Sequence, residues 1–192
     1  MSELRYHLLE PAAGMKSNLA GLFLWQLDDQ SRQLTEDTRG ATAEELSWQP
    51  APGANTIGML LAHIAVVEAS WIDRALHGLS DVSDGLLPIG RKETAMPLPE
   101  GAAAPAALEG RELAFFDDLH SLSRAHTRRE LAPLADADLD RRFRRISPSG
   151  REYEISLGWV LYHILEHQAG HYYQIKLLRH QYRSAVAARR AG

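Results

Sequence analysis

The sequence predicts an all-α protein. The expected form is a four-helix bundle with a long crossover between helices two and three and a short hairpin before helix four. Three observations carry that expectation. Four long segments repeat apolar residues at helical spacing. Proline, glycine and capping residues punctuate their boundaries. The stretch 78–105 is rich in proline and glycine and too long for a tight turn, which suits a connection running the length of a bundle. The 192 residues suit one domain, 1–192, with a sizeable core.

The first helix is expected from about Pro11 to Thr38, with Leu19, Leu22, Phe23, Leu27 and Leu34 as its apolar side and Gly40 as its stop. Thr42 and Glu45 then read as a capping box for a short turn. Gln49-Pro50-Ala-Pro52-Gly53 is a connector that cannot be helical. Asn55 or Thr56 caps the second helix, which runs to His77 with Gly78 as its stop. Ile57, Leu60, Leu61, Ile64, Val67 and Trp71 form its stripe.

The third helix is expected from about Pro105 to Leu131, weakened early by Gly110. Leu108, Leu113, Phe116, Leu119, Leu122 and His126 roughly mark its buried side, with His120 and His126 as surface or edge histidines. A short turn at 133–140 leads into two runs, 141–146 and 151–155, around Pro148-Ser-Gly150, which read as a β-hairpin. Its arginines are interleaved with acids, so a solvated hairpin is the expectation. Ser156 caps the last helix, expected to reach about Ala188, with a stripe that includes Val160, Ile164, Leu165, Ile175, Leu177 and Leu178. Gly170 in mid-helix suggests close approach of another helix or a ligand, and the tail from Arg183 is expected to fray.

Bulk properties exclude several functions. Net charge is −4, from 25 acidic and 21 basic residues, which offers no field for nucleic acid phosphates. There is no cysteine, so no disulfide, cysteine nucleophile or thiolate ligand. Met1–His7 holds no apolar signal core, and no run approaches the roughly 18 apolar residues of a membrane span. A cytoplasmic protein acting on a small molecule, with no nucleic acid and no membrane, is the expectation.

The chemistry-bearing stretch is Trp159-Val-Leu-Tyr-His163-Ile-Leu-Glu166-His167-Gln-Ala-Gly-His171-Tyr172-Tyr173-Gln174-Ile175. A helical step of four residues advances about 400°, so His163, His167 and His171 share one face. Two histidines at i and i+4 can grip one divalent ion. All three cannot, since His163 and His171 stand roughly 12 Å apart along the axis at 1.5 Å per residue. The remaining ligand has to come from elsewhere, and His63, set in the greasy run Met59–Val67, is the candidate. An unpaired imidazole buried there costs free energy and needs a hydrogen bond, a metal or an exit to solvent. Spacing leaves the choice between the two HxxxH pairs open. Three neutral imidazoles would leave a dication its full charge and an open position, the mark of a catalytic-type site. Such an ion lowers the pKa of water or a thiol that it binds, and zinc, nickel, iron and manganese all accept nitrogen ligands.

Three pieces in order resemble the DinB/YfiT-like superfamily over nearly the whole chain. They are Leu46-Ser-Trp48-Gln-Pro50-Ala-Pro-Gly53-Ala-Asn55-Thr-Ile57-Gly58 with Leu61-Ala-His63-Ile64 and Glu68; Ala137-Asp-Leu-Asp140 before a glycine-containing hairpin; and His163-Ile-Leu-Glu166-His167 with His171 and Gln174-Ile175. That superfamily holds metal-binding four-helix bundles, among them bacillithiol and mycothiol S-transferases and a mycothiol-dependent maleylpyruvate isomerase. The resemblance implies a divalent metal held by His63, His167 and His171. It leaves His163 beside the site as a neighbour or proton carrier and Glu166 as an outer partner. Tyr172-Tyr173 depart from the pattern of many relatives and become candidate substrate-contacting residues. The implied activities are transfer of a low-molecular-weight thiol cosubstrate, or metal-dependent hydrolysis of an amide or ester. A non-catalytic metal-binding stress-response protein is the third reading. Homodimerisation is also implied.

Overall fold

The computed structural model describes residues 8–79, 81–82, 84–94, 96–147 and 149–191. The N-terminal reading over Met1–His7, Pro148 of the hairpin turn and the terminal Gly192 lie outside the described residues. The chain is mostly helical with one small sheet. Its elements are α1 (Asn18–Thr38), α2 (Ala43–Ser47), α3 (Ile57–His77), α4 (Arg91–Thr94), α5 (Leu113–Leu131), β1 (Arg142–Ile146), β2 (Glu152–Ser156) and α6 (Leu157–Ala191), with single 3-10 turns at Ala106–Leu108 and Asp136–Asp140. Helix α3 packs against α5 and α6, and α1 against α6.

Helix α1 starts later than the sequence suggests. Ser17 is its N-cap and accepts from the Ala20 amide at 2.9 Å, while its hydroxyl donates to Asp136. The Pro11 segment instead doubles back, with the Ala12 amide donating to the Gly21 carbonyl at 3.0 Å. A Cβ at Gly21 would stand 2.9 Å from that of Pro11, so the close approach requires glycine. Leu24 and Leu27 are fully buried, whereas Leu19, in the first turn, is exposed.

Thr42 caps α2 through the Glu45 amide at 3.2 Å, but the Glu45 carboxylate does not complete the box. It turns to Arg179 of α6, whose Nε donates to it at 2.7 Å in a buried ion pair. Thr56 caps α3 by accepting from the Met59 amide at 3.1 Å, and Gly78 ends it in the left-handed region at φ 70°. The connection 78–112 is not featureless. It forms α4 and a 3-10 turn, and it lies over the Gln49–Gly53 connector, with Gln49 Nε2 donating to the Ala54 and Ala102 carbonyls at 2.8 and 3.0 Å. Gly110 adopts φ 67°, which breaks the expected third helix and delays α5 to Leu113.

β1 and β2 pair antiparallel, with Phe143 opposite Ile155 and Arg145 opposite Tyr153. Phe143 packs onto the core, and period-two alternation puts Arg145 on the same inward side. Ser156 then accepts from the Trp159 amide at 3.1 Å and starts α6. That helix runs to Ala191, past the expected frayed tail, through alanine- and arginine-rich sequence of high helix propensity.

The core has two apolar clusters. One gathers around Leu46, Ile57, Leu60, Phe116 and Leu119. The other gathers around Leu27, Ile72, Leu131, Val160 and Leu161. A buried polar network ties the long helices together. Arg124 of α5 grips Glu68 of α3 bidentately at 2.8 and 3.0 Å, reaches Asp28 of α1 at 2.8 Å and donates to Gln168 of α6 at 3.2 Å. Leu122 and Leu177, expected inside, are exposed. His126, placed on the buried side of this helix as an edge histidine, is buried, with Asp73 2.7 Å from its Nε2 and Arg129 donating to its Nδ1 at 2.6 Å. The Arg129 donor leaves Nε2–H to face Asp73, which explains how a polar ring is tolerated there. No helix among the described residues is long and apolar enough to cross a membrane.

Candidate metal centre

Helix α3 presents His63 and α6 presents His167 and His171 to one point. Cap and packing hold α3 in place. Gly58 lies under Phe116, and a Cβ there would come 2.9 Å from the ring. The register of α6 is held by Gln168, next to His167, which donates to Ser31 Oγ at 2.9 Å and accepts from Arg124. The Nε2 atoms of His63 and His167 stand 3.1 Å apart, as do those of His167 and His171. One ligand-capable atom from each of the three lies within 4.8 Å of the others. Tetrahedral zinc–nitrogen bonds of about 2.0–2.1 Å put ligand atoms roughly 3.3 Å apart, so this spacing suits one shared ion.

The surrounding groups favour lone pairs at that point. Burial, then the neighbouring His171 and Arg91, lowers the His63 pKa to about 4. Burial, then His171 and His63, lowers that of His167 to about 3. Both rings are therefore neutral near pH 7. His171 Nδ1 lies 2.9 Å from the Gln174 side-chain oxygen, which makes Nδ1 the protonated nitrogen and leaves Nε2 free to bind.

His163 sits apart from the trio. Its ring stacks on Trp159 at 4.9 Å and meets the edge of Trp71 at 5.1 Å. Its Nδ1 is 3.0 Å from a Glu166 carboxylate oxygen. Hydrogen bonds from His163 and then Tyr162 hold the Glu166 carboxyl below its usual range. Tyr172 and Tyr173 do not line the cavity beside the histidines. Successive residues rotate by about 100° on a helix, which carries them off the histidine face. Tyr172 is buried and its hydroxyl donates to Asp37 at 2.5 Å, while Tyr173 points to solvent. Gly170 is exposed and nothing lies within 4 Å of an added Cβ, so among the described residues no neighbouring helix packs against it.

A cavity of about 200 Å³ opens against His63, His163 and His167. Its far wall is Trp71 with Arg74, Arg91 and Arg145. Sequence reasoning missed these arginines. The hairpin is not wholly a solvated surface: Arg142 pairs with Glu154 at 3.0 Å, but Arg145 lies over the Trp71 ring, 4.9 Å from its centroid. Its inward position was legible from its alternation with Phe143. No local signal joined it to Trp71.

A mostly helical protein with a solvent-reachable cluster of three imidazoles between two long helices is compatible with metal binding. The chain belongs to the DinB superfamily, whose pattern matches residues 26–175. A conserved protein from Enterococcus faecalis, known by crystal structure, has the same fold. It aligns with a TM-score of 0.59 at 19% identity, over 82% of this chain and 93% of that one. At that identity the likeness speaks to fold alone. No curated protein matches the chain.

Proposed function

We propose that this chain is a divalent-metal-dependent DinB protein, one domain over 1–192 built as a four-helix bundle from α1, α3, α5 and α6. His63, His167 and His171 would hold the ion beside the cavity that His63 and His167 line. The observation that carries this reading is the convergence of three Nε2 atoms from helices 104 residues apart in the chain. A divalent ion bound by three neutral ligands keeps its full charge and lowers the pKa of a thiol or water that reaches it.

The chain's own residues supply the rest. Burial keeps His63 and His167 neutral, and Gln174 orients His171. With its Nδ1 hydrogen on Glu166, His163 presents Nε2 as a proton acceptor, and the carboxylate stabilises the imidazolium that results. The chain has no cysteine, so a sulfur nucleophile would come from a low-molecular-weight thiol cosubstrate. Transfer of that thiol to an electrophile is the first reading. Hydrolysis of an amide or ester is the second, and the His163–Glu166 pair favours it by offering a route for a water proton.

Consumption of an electrophile by the zinc-loaded protein, with and without added thiol, separates them. A rate that requires thiol supports transfer. Cleavage without thiol supports hydrolysis. Metal uptake with neither activity across a broad panel leaves a non-catalytic metal-binding protein.

A further inference from the structure

The cavity beside the three histidines is strongly cationic, although the whole chain carries a net charge of −4. Arg74, Arg91 and Arg145 line it, and no aspartate or glutamate is among its described lining residues. Asp81 acts on Arg74, and Glu166 is engaged by His163. Several other arginines are paired with acids, as in Arg124–Glu68, Arg128–Asp28, Arg142–Glu154 and Arg179–Glu45. Among the described residues, no carboxylate lies within ion-pair distance of Arg91 or Arg145.

Three guanidiniums gathered from α3, α4 and β1 repel one another unless an anion sits between them. Two of them are held against the Trp71 ring. Arg145 and Arg74 lie 4.9 and 5.7 Å from the Trp71 ring centroid, a cation–π contact that fixes both beside the cavity. Guanidinium edges match carboxylate and phosphate oxygens bidentately.

We propose that Arg74, Arg91 and Arg145, which line one cavity with Trp71, form a subsite for the oxyanionic group of a small-molecule substrate or cosubstrate bearing at least two negative charges. Its reactive end reaches the three histidines. The proposal deepens the metal-centre reading and rests on it for the position of that reactive end. The volume of about 200 Å³ accommodates on the order of six waters at about 30 Å³ each, the scale of a four-carbon dicarboxylate or a phosphate ester head. Arg145 also borders a larger hollow of about 650 Å³ along Tyr153 and Trp159, where the body of a longer ligand would lie.

Calorimetry with succinate, inorganic phosphate and neutral succinamide tests this, on zinc-loaded and metal-free protein. Wild type, Arg91→Gln, Arg145→Gln and the solvent-exposed control Arg32→Gln are compared. The expected result is binding of succinate or phosphate but not succinamide. Each cavity variant should weaken it about tenfold, the scale of one lost charge-assisted contact, with zinc uptake and the control unchanged. The tighter anion identifies carboxylate or phosphate as the recognised group. Equal affinity in wild type and cavity variants, equal binding of succinamide, or no anion binding would overturn the subsite. Zinc uptake without anion binding overturns the subsite and leaves the metal centre. Arginine-dependent anion binding in a protein that takes up no zinc sustains the subsite and overturns the metal centre.

Discussion

The Nε2 atoms of His63 and His167 lie 3.1 Å apart, although 104 residues separate them in the chain. Two neutral imidazoles that close must share a proton or an ion. His171 meets His167 at the same distance, so the trio gathers more lone pairs than one proton can serve.

The scaffold under this contact depends on the Arg124–Glu68 pair. Glu68 is 2% exposed and Arg124 13%. Burial alone would raise the Glu68 pKa, but the charge and hydrogen bonds of Arg124 outweigh it and hold the carboxyl below its usual range. Arg124→Met strands that charge and is expected to cost about 3–5 kcal/mol in urea denaturation. Adding Glu68→Leu should recover much of the loss. A single variant as stable as wild type would show that the network carries little.

Acid should destabilise the metal-free protein partly through His120. Burial, opposed by Glu68, lowers its pKa from 6.5 to about 4, and its buried Nε2 has no hydrogen-bond partner among the described residues. A depressed histidine pKa means that the unfolded chain takes up a proton first as pH falls. Stability is therefore complete above about 6.5 and declines towards 4. His120→Leu should remove about 2 kcal/mol of the stability difference between about pH 7 and pH 5. An unchanged pH slope in the EDTA-treated variant would contradict this.

Gln174 should act on metal affinity without being a ligand. Its oxygen lies 2.9 Å from His171 Nδ1. Gln174→Ala is expected to weaken zinc binding about 10-fold or more in chelator competition, with stoichiometry unchanged. Affinity equal to wild type would mean that His171 needs no such support.

Local signals were the legible ones. Thr56, Gly78 and Ser156 mark helix ends where capping chemistry puts them, and the four-residue histidine spacing picks out the face that carries the three-histidine cluster's α6 members. Spacing could not choose between the two HxxxH pairs. The resemblance pointed to His167 and His171, and the structure brings these two to His63 while His163 turns to Trp159 and Glu166. What stayed hidden depends on partners distant in sequence. Glu45 looked like half of a capping box because Arg179 is 134 residues away. The stripe put His126 on the buried side of its helix, but its partner Asp73, 53 residues away, could not be read from it. Tyr172 looked like a pocket residue because nothing local announced Asp37. Arg145 and Arg91 reach the cavity only through the hairpin and the long connection, whose paths no periodicity encodes.

Elemental analysis of the untagged protein beside His63→Ala and His167→Ala tests the metal centre most directly. The expected result is about one divalent ion per wild-type chain, lost in both folded variants, as three protein ligands sharing one ion require. No ion in the wild type even after reconstitution, or full retention in either variant, would contradict it.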